Sequence, residues 1–194
     1  MLKKTGLFLL LLSVLSGNAQ TDTSLTARLQ RFLEFTENLD VDAALDLTYP
    51  RLFTIVTREE MKKELLGSQD EEEAKIRIDS LRIDTIFPVF QHEKGSYTKI
   101  AYTLNIYLQL VGENATEDET ELMQLKEIYQ SLYGEDNVSY NAEKKEFKLR
   151  SHAAMIGIRD DISPEWTFLN FEIDSPLTGI LFGDKLLEKL ALYK

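Results

Sequence analysis

The sequence contains no cysteine. A disulfide framework, a thiolate nucleophile and a cysteine metal site are therefore excluded, and the core has to be stable without covalent cross-links. The same absence bears on anchoring, because Leu15-Ser16-Gly17 is followed by Asn18 where a bacterial lipoprotein signal requires cysteine. We expect no lipid anchor at this end of the chain.

The sequence also lacks an apolar run long enough to span a bilayer. The run Leu7–Leu15 falls well short of the roughly 20 residues that a membrane helix needs. It follows two lysines and ends in small residues near Ala19, which is the pattern of a cleaved export signal. We therefore expect a signal peptide over 1–19, a single domain over 20–194, and a bacterial periplasmic or secreted protein, since small animal secreted domains are usually disulfide-stapled.

Positive charge is scarce. The chain has 22 lysines and arginines against 33 aspartates and glutamates, a net charge of −11. Loss of the two lysines in the signal makes the mature chain more acidic still. Such a charge repels phosphate backbones and anionic lipid surfaces. We expect no nucleic-acid partner and no stable membrane insertion, and we expect the partner to be a small molecule or a protein, with a homodimer as one possibility.

Metal ligands are few. The only histidines are His92 and His152, and the first lies in a predicted turn. The acidic runs at 70–73 and 117–121 lack the alternating oxygen ligands and central glycine of a calcium loop. The sequence therefore predicts no metal site and no cofactor.

Helical spacing of apolar residues predicts three helices before the first strand. They cover 22–39, 41–47 and 57–66, and the third opens with a capping-box pattern at Thr57 and Glu60.

Two further helices are predicted later in the chain. An inserted helix over 116–133 is capped by Thr116, and a C-terminal helix begins at Pro176 and is interrupted near Gly183. The residues expected on their inward faces are Leu122, Leu125, Ile128, Tyr129 and Leu132 in the first and Leu186, Leu187, Leu190 and Leu192 in the second.

The clearest strand begins at Gly95 and alternates apolar with polar residues. Its polar face includes Thr103 and Tyr107. Its apolar face consists of Ile100, Tyr102, Leu104, Ile106, Leu108 and Leu110. We expect the residues of this face from Ile100 to Leu108 to pack against the first helix.

The remaining strands are less regular. Segment 75–90 changes phase at Asp79 and Ser80, which predicts a β-bulge or tight turn there. A hairpin with its turn at 141–145 and a final strand over 166–173 complete the predicted sheet.

This order of elements resembles the NTF2-like (cystatin-like) α+β roll. Two segments show the resemblance most clearly. They are Asp46-Leu47-Thr48-Tyr49-Pro50-Arg51-Leu52-Phe53 at a helix break and Glu165-Trp166-Thr167-Phe168-Leu169 at the last strand. They look like uncharacterised secreted bacterial members of that superfamily. The resemblance implies a curved antiparallel sheet wrapped around N-terminal helices, with an inserted helix and a C-terminal helix. That superfamily includes isomerases, dehydratases and plain binding modules, so fold alone does not choose an activity.

Aromatic residues are the best candidates for a ligand wall. Tyr49, Phe53 and Trp166 offer large apolar surfaces, although such residues ordinarily serve packing. Trp166 and Phe168 share one strand face, which either packs against the terminal helix or is open to a ligand. His152 lies either in an apolar pocket or at the exposed start of its strand.

Catalytic candidates are weaker. An isomerase needs a carboxylate base and a phenol or acid that stabilises an enolate, and Asp46 with Tyr49, Tyr102 or Tyr107 offers such groups. No established catalytic motif accompanies them. The sequence therefore predicts no catalytic residue and favours an exported, non-enzymatic binding module for a small apolar molecule or a peptide segment.

The predicted contacts are Tyr49, Phe53, His152 and Trp166. Two alternatives remain open at this point. One is a cryptic isomerase or dehydratase with a carboxylate and a tyrosine in the cone, and the other is a structural or dimerisation protein.

Overall fold

An open six-stranded antiparallel sheet, with six helices in the described part of the chain, forms this α+β protein. The computed structural model describes residues 22–67, 74–112, 118–172 and 175–193. The predicted signal peptide and the acidic run at 70–73 lie outside these ranges, as does the first residue of the run at 117–121. Among the described helices, none is long and apolar enough to cross a membrane.

The helices and strands alternate in blocks along the chain. The helices are α1 (Thr23–Glu37), α2 (Val41–Asp46), α3 (Arg58–Gly67), α4 (Glu119–Tyr133), α5 (Pro176–Leu181) and α6 (Asp184–Ala191), with short 3₁₀ helices at Pro50–Thr54 and Glu135–Asn137. The strands are β1 (Ala74–Ile86), β2 (Phe90–His92), β3 (Gly95–Leu110), β4 (Val138–Asn141), β5 (Glu146–Arg159) and β6 (Thr167–Asn170).

The two long strands β3 and β5 form the centre of the sheet. The order is β1-β3-β5-β4, with β2 also pairing with β3 and β6 also pairing with β5. The hairpin between β4 and β5 confirms the predicted turn. The predicted bulge in β1 is also confirmed, because the register shifts between Asp79 and Arg82 and Ser80 adopts φ 57°.

Side-chain caps fix the helix starts. Thr57 and Glu60 form the predicted capping box, with Thr57 N–H donating to Glu60 Oε2 (2.9 Å) and Glu60 N–H donating to Thr57 Oγ1 (3.1 Å). The start of α4 differs from the prediction. Asp118 caps it by accepting from the backbone N–H of Thr120 (2.8 Å), because a carboxylate there meets the free amides of the first turn. The predicted cap Thr116 lies outside the described residues.

The first helix packs on the apolar face of β3, as predicted for Ile100, Tyr102, Leu104 and Ile106, whereas Leu108 packs in the cluster under the fourth helix. Leu25 and Leu29 of α1 are buried in one cluster with Ile100, Tyr102 and Leu104. Gly157 lets the helix approach, since an added Cβ would lie 2.9 Å from Thr98 Cγ2 and 3.4 Å from Leu25 Cδ1.

Helix α4 covers the far end of the same sheet face. Its residues Leu122, Leu125 and Tyr129 pack against Phe147 and neighbouring residues of β3 to β5. The prediction was wrong for Ile128 and Leu132, which are 54% and 72% exposed. The inward stripe of an α-helix is narrow, and these two residues lie along its edge.

The opposite sheet face is covered at one end only. The buried residues of α5 and α6, including Leu186 and Leu190, pack against Ile156 and Ile158 of β5. The predicted break is confirmed, because α5 and α6 are separated at Phe182 and Gly183. Leu192 was wrongly predicted to face inward, since α6 ends at Ala191 and Leu192 is 79% exposed.

Candidate functional site

The uncovered half of this second sheet face is a continuous polar surface, here called the open face. Strand pairing aligns its side chains in rows across the sheet, for example Arg77, Tyr107, Lys148 and Ser139. Its members are Lys75, Arg77, Asp79, Arg82 and Asp84 of β1, Thr103, Asn105, Tyr107 and Gln109 of β3, Ser139 and Asn141 of β4, and Glu146, Lys148, Arg150 and His152 of β5.

Small side chains mark the boundary between the covered and open halves. On the covered side, Lys99 donates from Nζ to the carbonyl oxygen of Tyr193 (2.5 Å), which follows α6. The next pair along these strands is Ala101 and Ala154. Beyond that pair the open face begins with Thr103.

The carboxylates of the open face are held by two arginines. Arg77 lies 3.2 Å from Asp79 and 3.8 Å from Glu146, and Arg82 lies 3.3 Å from Asp84. These are exposed or partly exposed pairs, each contributing little to stability. Each acid of the open face thus has a cationic partner, although Asp79 and Glu146 share the single guanidinium of Arg77.

Three cations of the open face have no carboxylate partner within the described residues. They are Lys75, Lys148 and Arg150, and all three are exposed. Tyr107 lies among the basic side chains, with the guanidinium carbon of Arg77 at 3.9 Å and Lys148 Nζ at 5.8 Å from its ring centroid. Such cation–π contacts hold the basic groups over the sheet. The open face is therefore locally positive on a strongly acidic chain.

A shallow depression of about 510 Å³ opens beside the β4–β5 hairpin, where it joins the open face. Its lining combines hydroxyl, amide, ammonium and carboxylate groups with the rings of two tyrosines. The lining residues are Tyr107, Ser139, Tyr140, Asn141, Ala142, Lys144, Glu146 and Lys148. The two lysines and the amide and hydroxyl groups offer positive charge and hydrogen-bond donors to an anionic group.

A chain of hydrogen bonds crosses three strands at the boundary end of the open face. The Thr103 hydroxyl donates to Asp84 Oδ2 (2.5 Å) and lies 2.9 Å from His152 Nδ1. A hydroxyl has one hydrogen and an ionised carboxylate only accepts, so Nδ1 of His152 is the donor to Thr103. The neutral ring then presents Nε2 as an acceptor, and His152 is exposed on the open face.

The sequence placed Thr103 on the polar face of β3 but not within this chain of hydrogen bonds. The residue is only 3% exposed, beneath its two partners. The three side chains lie 19 and 49 residues apart along the chain. A β-bulge and two strand registers bring them together, and no local sequence signal encodes that contact.

The four predicted ligand contacts do not line a common site. Tyr49 is buried beneath α5 and α6, where its hydroxyl donates to Asp160 Oδ2 (2.7 Å), and burial raises its pKa well above the ordinary value. Phe53 is half-buried, with the Arg58 guanidinium 6.0 Å from its ring centroid. His152 lies on the open face near the middle of β5.

Trp166 is the most enclosed of the four. It is fully buried in the cluster beneath α1, and its Nε1–H donates to Asp22 Oδ2 (3.1 Å). The Arg159 guanidinium lies 4.9 Å from its ring centroid. Trp166 and Phe168 thus pack against the first helix and not against the terminal one. Neither of the two surface depressions found, beside the hairpin and beside α6, includes Trp166 or Tyr49 in its lining.

Three of the groups considered for catalysis have structural partners. Tyr102 donates to Asn170 Oδ1 (3.1 Å), and burial raises its pKa to about 12. Asp46 is largely exposed and pairs with Arg58 (2.7 Å). In the partly buried pair Tyr49–Asp160, the other carboxylate oxygen of Asp160 accepts from two backbone amides of the following loop. The fourth candidate, Tyr107, lies on the open face between Arg77 and Lys148.

Comparison with family models, curated proteins and solved structures gives no match. The candidate site therefore stands on the geometry of the chain itself.

Proposed function

We propose that this chain is an exported, non-enzymatic binding domain that recognises an acidic protein segment on its open face. One observation carries the proposal. A chain with a net charge of −11 gathers three uncompensated cations, Lys75, Lys148 and Arg150, on the one half of a sheet face that no described helix covers. Complementary charge steers partners and suppresses wrong ones.

The interior supports a surface site over an internal one. The side chains that would line a cone beneath the N-terminal helices, among them Trp166 and Phe168, are fully buried against one another and against α1. A small apolar ligand needs a concave apolar pocket with room for it. The depression beside the hairpin is open and is lined by Lys144 and Lys148, which suits an extended acidic segment.

The same features favour binding over catalysis. His152 presents an acceptor nitrogen, but it stands on an uncovered surface. Acid–base and oxyanion chemistry depend on preorganised groups in a site that excludes water.

We also propose that the domain belongs to the NTF2-like rolls, as an export product after removal of residues 1–19. In support, the three N-terminal helices precede the sheet, and α1 packs across its central strands.

A direct binding measurement tests the proposed function. The probe is a decapeptide of aspartate, and its affinity for the protein is measured by isothermal titration calorimetry at low and high salt. The double variant Lys148→Glu/Arg150→Glu should bind about tenfold more weakly, since two charges in contact with the probe are reversed. Added salt should weaken wild-type binding.

A matched control separates the site from net charge. Lys63→Glu/Lys126→Glu changes the net charge by the same amount on exposed positions of α3 and α4. It should leave the affinity at the higher salt within about twofold of wild type, because neither lysine lies on the open face and exposed charges away from the probe are screened there. An equal loss in both double variants would refute a site on the open face.

A further inference from the structure

Few charged groups face His152. Among the described residues they are Arg82 and Asp84 on β1 and Arg150 on β5, while β3 contributes the neutral Thr103 and Asn105. Asp84 is committed to Arg82 and to the Thr103 hydroxyl. The uncommitted charge nearest along the strand is Arg150, two residues away on the same face and so about 7 Å distant.

The hydrogen bond to Thr103 gives His152 two distinct surface chemistries. With Nδ1–H donating to Thr103, the neutral ring offers only an acceptor at Nε2, which repels a carboxylate oxygen. After protonation Nε2–H becomes a charged donor beside Arg150. Histidine is the side chain that ordinarily makes this change between pH 5 and 8.

We propose that His152 is a specificity-determining residue of the open face. In its neutral form, Nε2 of His152 accepts a hydrogen bond from a hydroxyl or amide N–H that lies next to the partner's carboxylate. In its charged form, Nε2–H donates a hydrogen bond to the carboxylate itself. Thr103 is the positioning residue that aims Nε2 at the partner. This inference rests on the proposed function and states how the same site chooses its contacts.

The aspartate decapeptide tests the inference at two pH values, about 7.5 and about 5.5, because aspartate stays ionised at both. The wild-type protein should bind it about threefold to fivefold more tightly at the lower pH, the size of one exposed charge contact. His152→Gln should lose that gain, since an amide does not take up a proton. His92→Gln removes the only other histidine and should keep the gain.

Variants at Thr103 test the positioning role. Thr103→Ser keeps the hydroxyl and should keep the pH-dependent gain, whereas Thr103→Val removes both hydrogen bonds and should reduce it. Circular dichroism confirms that each variant is folded before binding is measured.

The outcomes separate the two proposals. An undiminished gain in His152→Gln would overturn the role of His152 and leave the proposed function standing. Binding by wild type at neither pH would overturn both. If Thr103→Val keeps the full increase in affinity at the lower pH, Thr103 is not a positioning residue.

Discussion

The covered and open halves of one sheet face use the same two strands in different ways. Under α5 and α6, Tyr97, Ile156 and Ile158 are buried, so β3 and β5 are enclosed on both sides there. Beyond the Ala101–Ala154 pair, the same strands carry polar side chains over an apolar underside. Strict alternation thus marks the half of a strand that has a single covered face.

This difference also divides stability from recognition. Side chains in the covered half have lost their contact with water and contribute to folding through burial. The exposed side chains of the open face, such as Lys75, Lys148 and Arg150, keep their hydration, so their removal costs folding little and changes what the surface can bind. The predictions below test this division, beginning with the largest expected effect.

Ile156→Ala in the covered half should lower the free energy of unfolding by about 2 to 5 kcal/mol, because it opens a cavity at a fully buried position. Urea denaturation measures the loss. Arg150→Ala on the open half of the same strand serves as its counterpart and should stay within about 0.5 kcal/mol of wild type. Similar losses in both variants would contradict the division.

Gly157→Ala tests how closely the other sheet face is packed under α1. The added methyl would crowd Thr98 and Leu25, so we expect a loss of about 1 to 3 kcal/mol. The control is Gly179→Ala in α5, where an added Cβ meets nothing within 4 Å. That change should leave stability equal or raise it by up to about 1 kcal/mol, because alanine is the better helix former. Thermal unfolding measures the stability of both variants. An unchanged stability in Gly157→Ala would contradict the close packing of α1 on the sheet.

Asp22→Asn tests the contacts of Asp22 that hold the start of α1 against Trp166. Hydrogen bonds from Ser24, then from Trp166 and the first helical amides, lower the pKa of Asp22 from 3.8 to about 2. A lowered folded-state pKa gives stability that is present above pH 3.8 and lost as the pH falls through about 2. Asparagine still caps a helix, but it loses the charge that pairs with Arg159 (3.0 Å). We therefore expect the variant to lose up to about 1 kcal/mol at neutral pH and to show a shallower acid transition. Identical acid profiles would exclude this role for Asp22.

Much of the fold could be predicted because its signals are local. The capping box at Thr57, the change of phase at Ser80 and the break at Gly183 each depend on a few adjacent residues. The side chains that α4 buries were less predictable. Periodicity gives the direction of an apolar face but not its width. Ile128 and Leu132 were therefore predicted to face inward, whereas both are exposed.

The candidate site could not be predicted to the same extent. Its cations were visible as single residues, but their lack of partners follows from strand register, which pairs Arg77 with Asp79 and Glu146 and leaves Arg150 alone. His152 was a candidate without a partner, because Thr103 and Asp84 reach it only across three strands. Tyr49 and Trp166 were recognised as important aromatics, yet burial in two different clusters is a property of the tertiary fold.

The bond between Asp22 and Trp166 joins residues 144 positions apart. Arg28 of the same helix donates to the carbonyl oxygen of Trp166 (2.6 Å), and Thr48 forms a β-bridge with Phe168. The first helix and the segment after the second are therefore completed by β6, the last strand in the described part of the chain. Contacts between residues so far apart in sequence slow folding, because long loops must close before the contacts form. A ribosome-bound chain that has not yet exposed Trp166 lacks the partners that fix α1, and the domain completes its folding only after β6 has emerged.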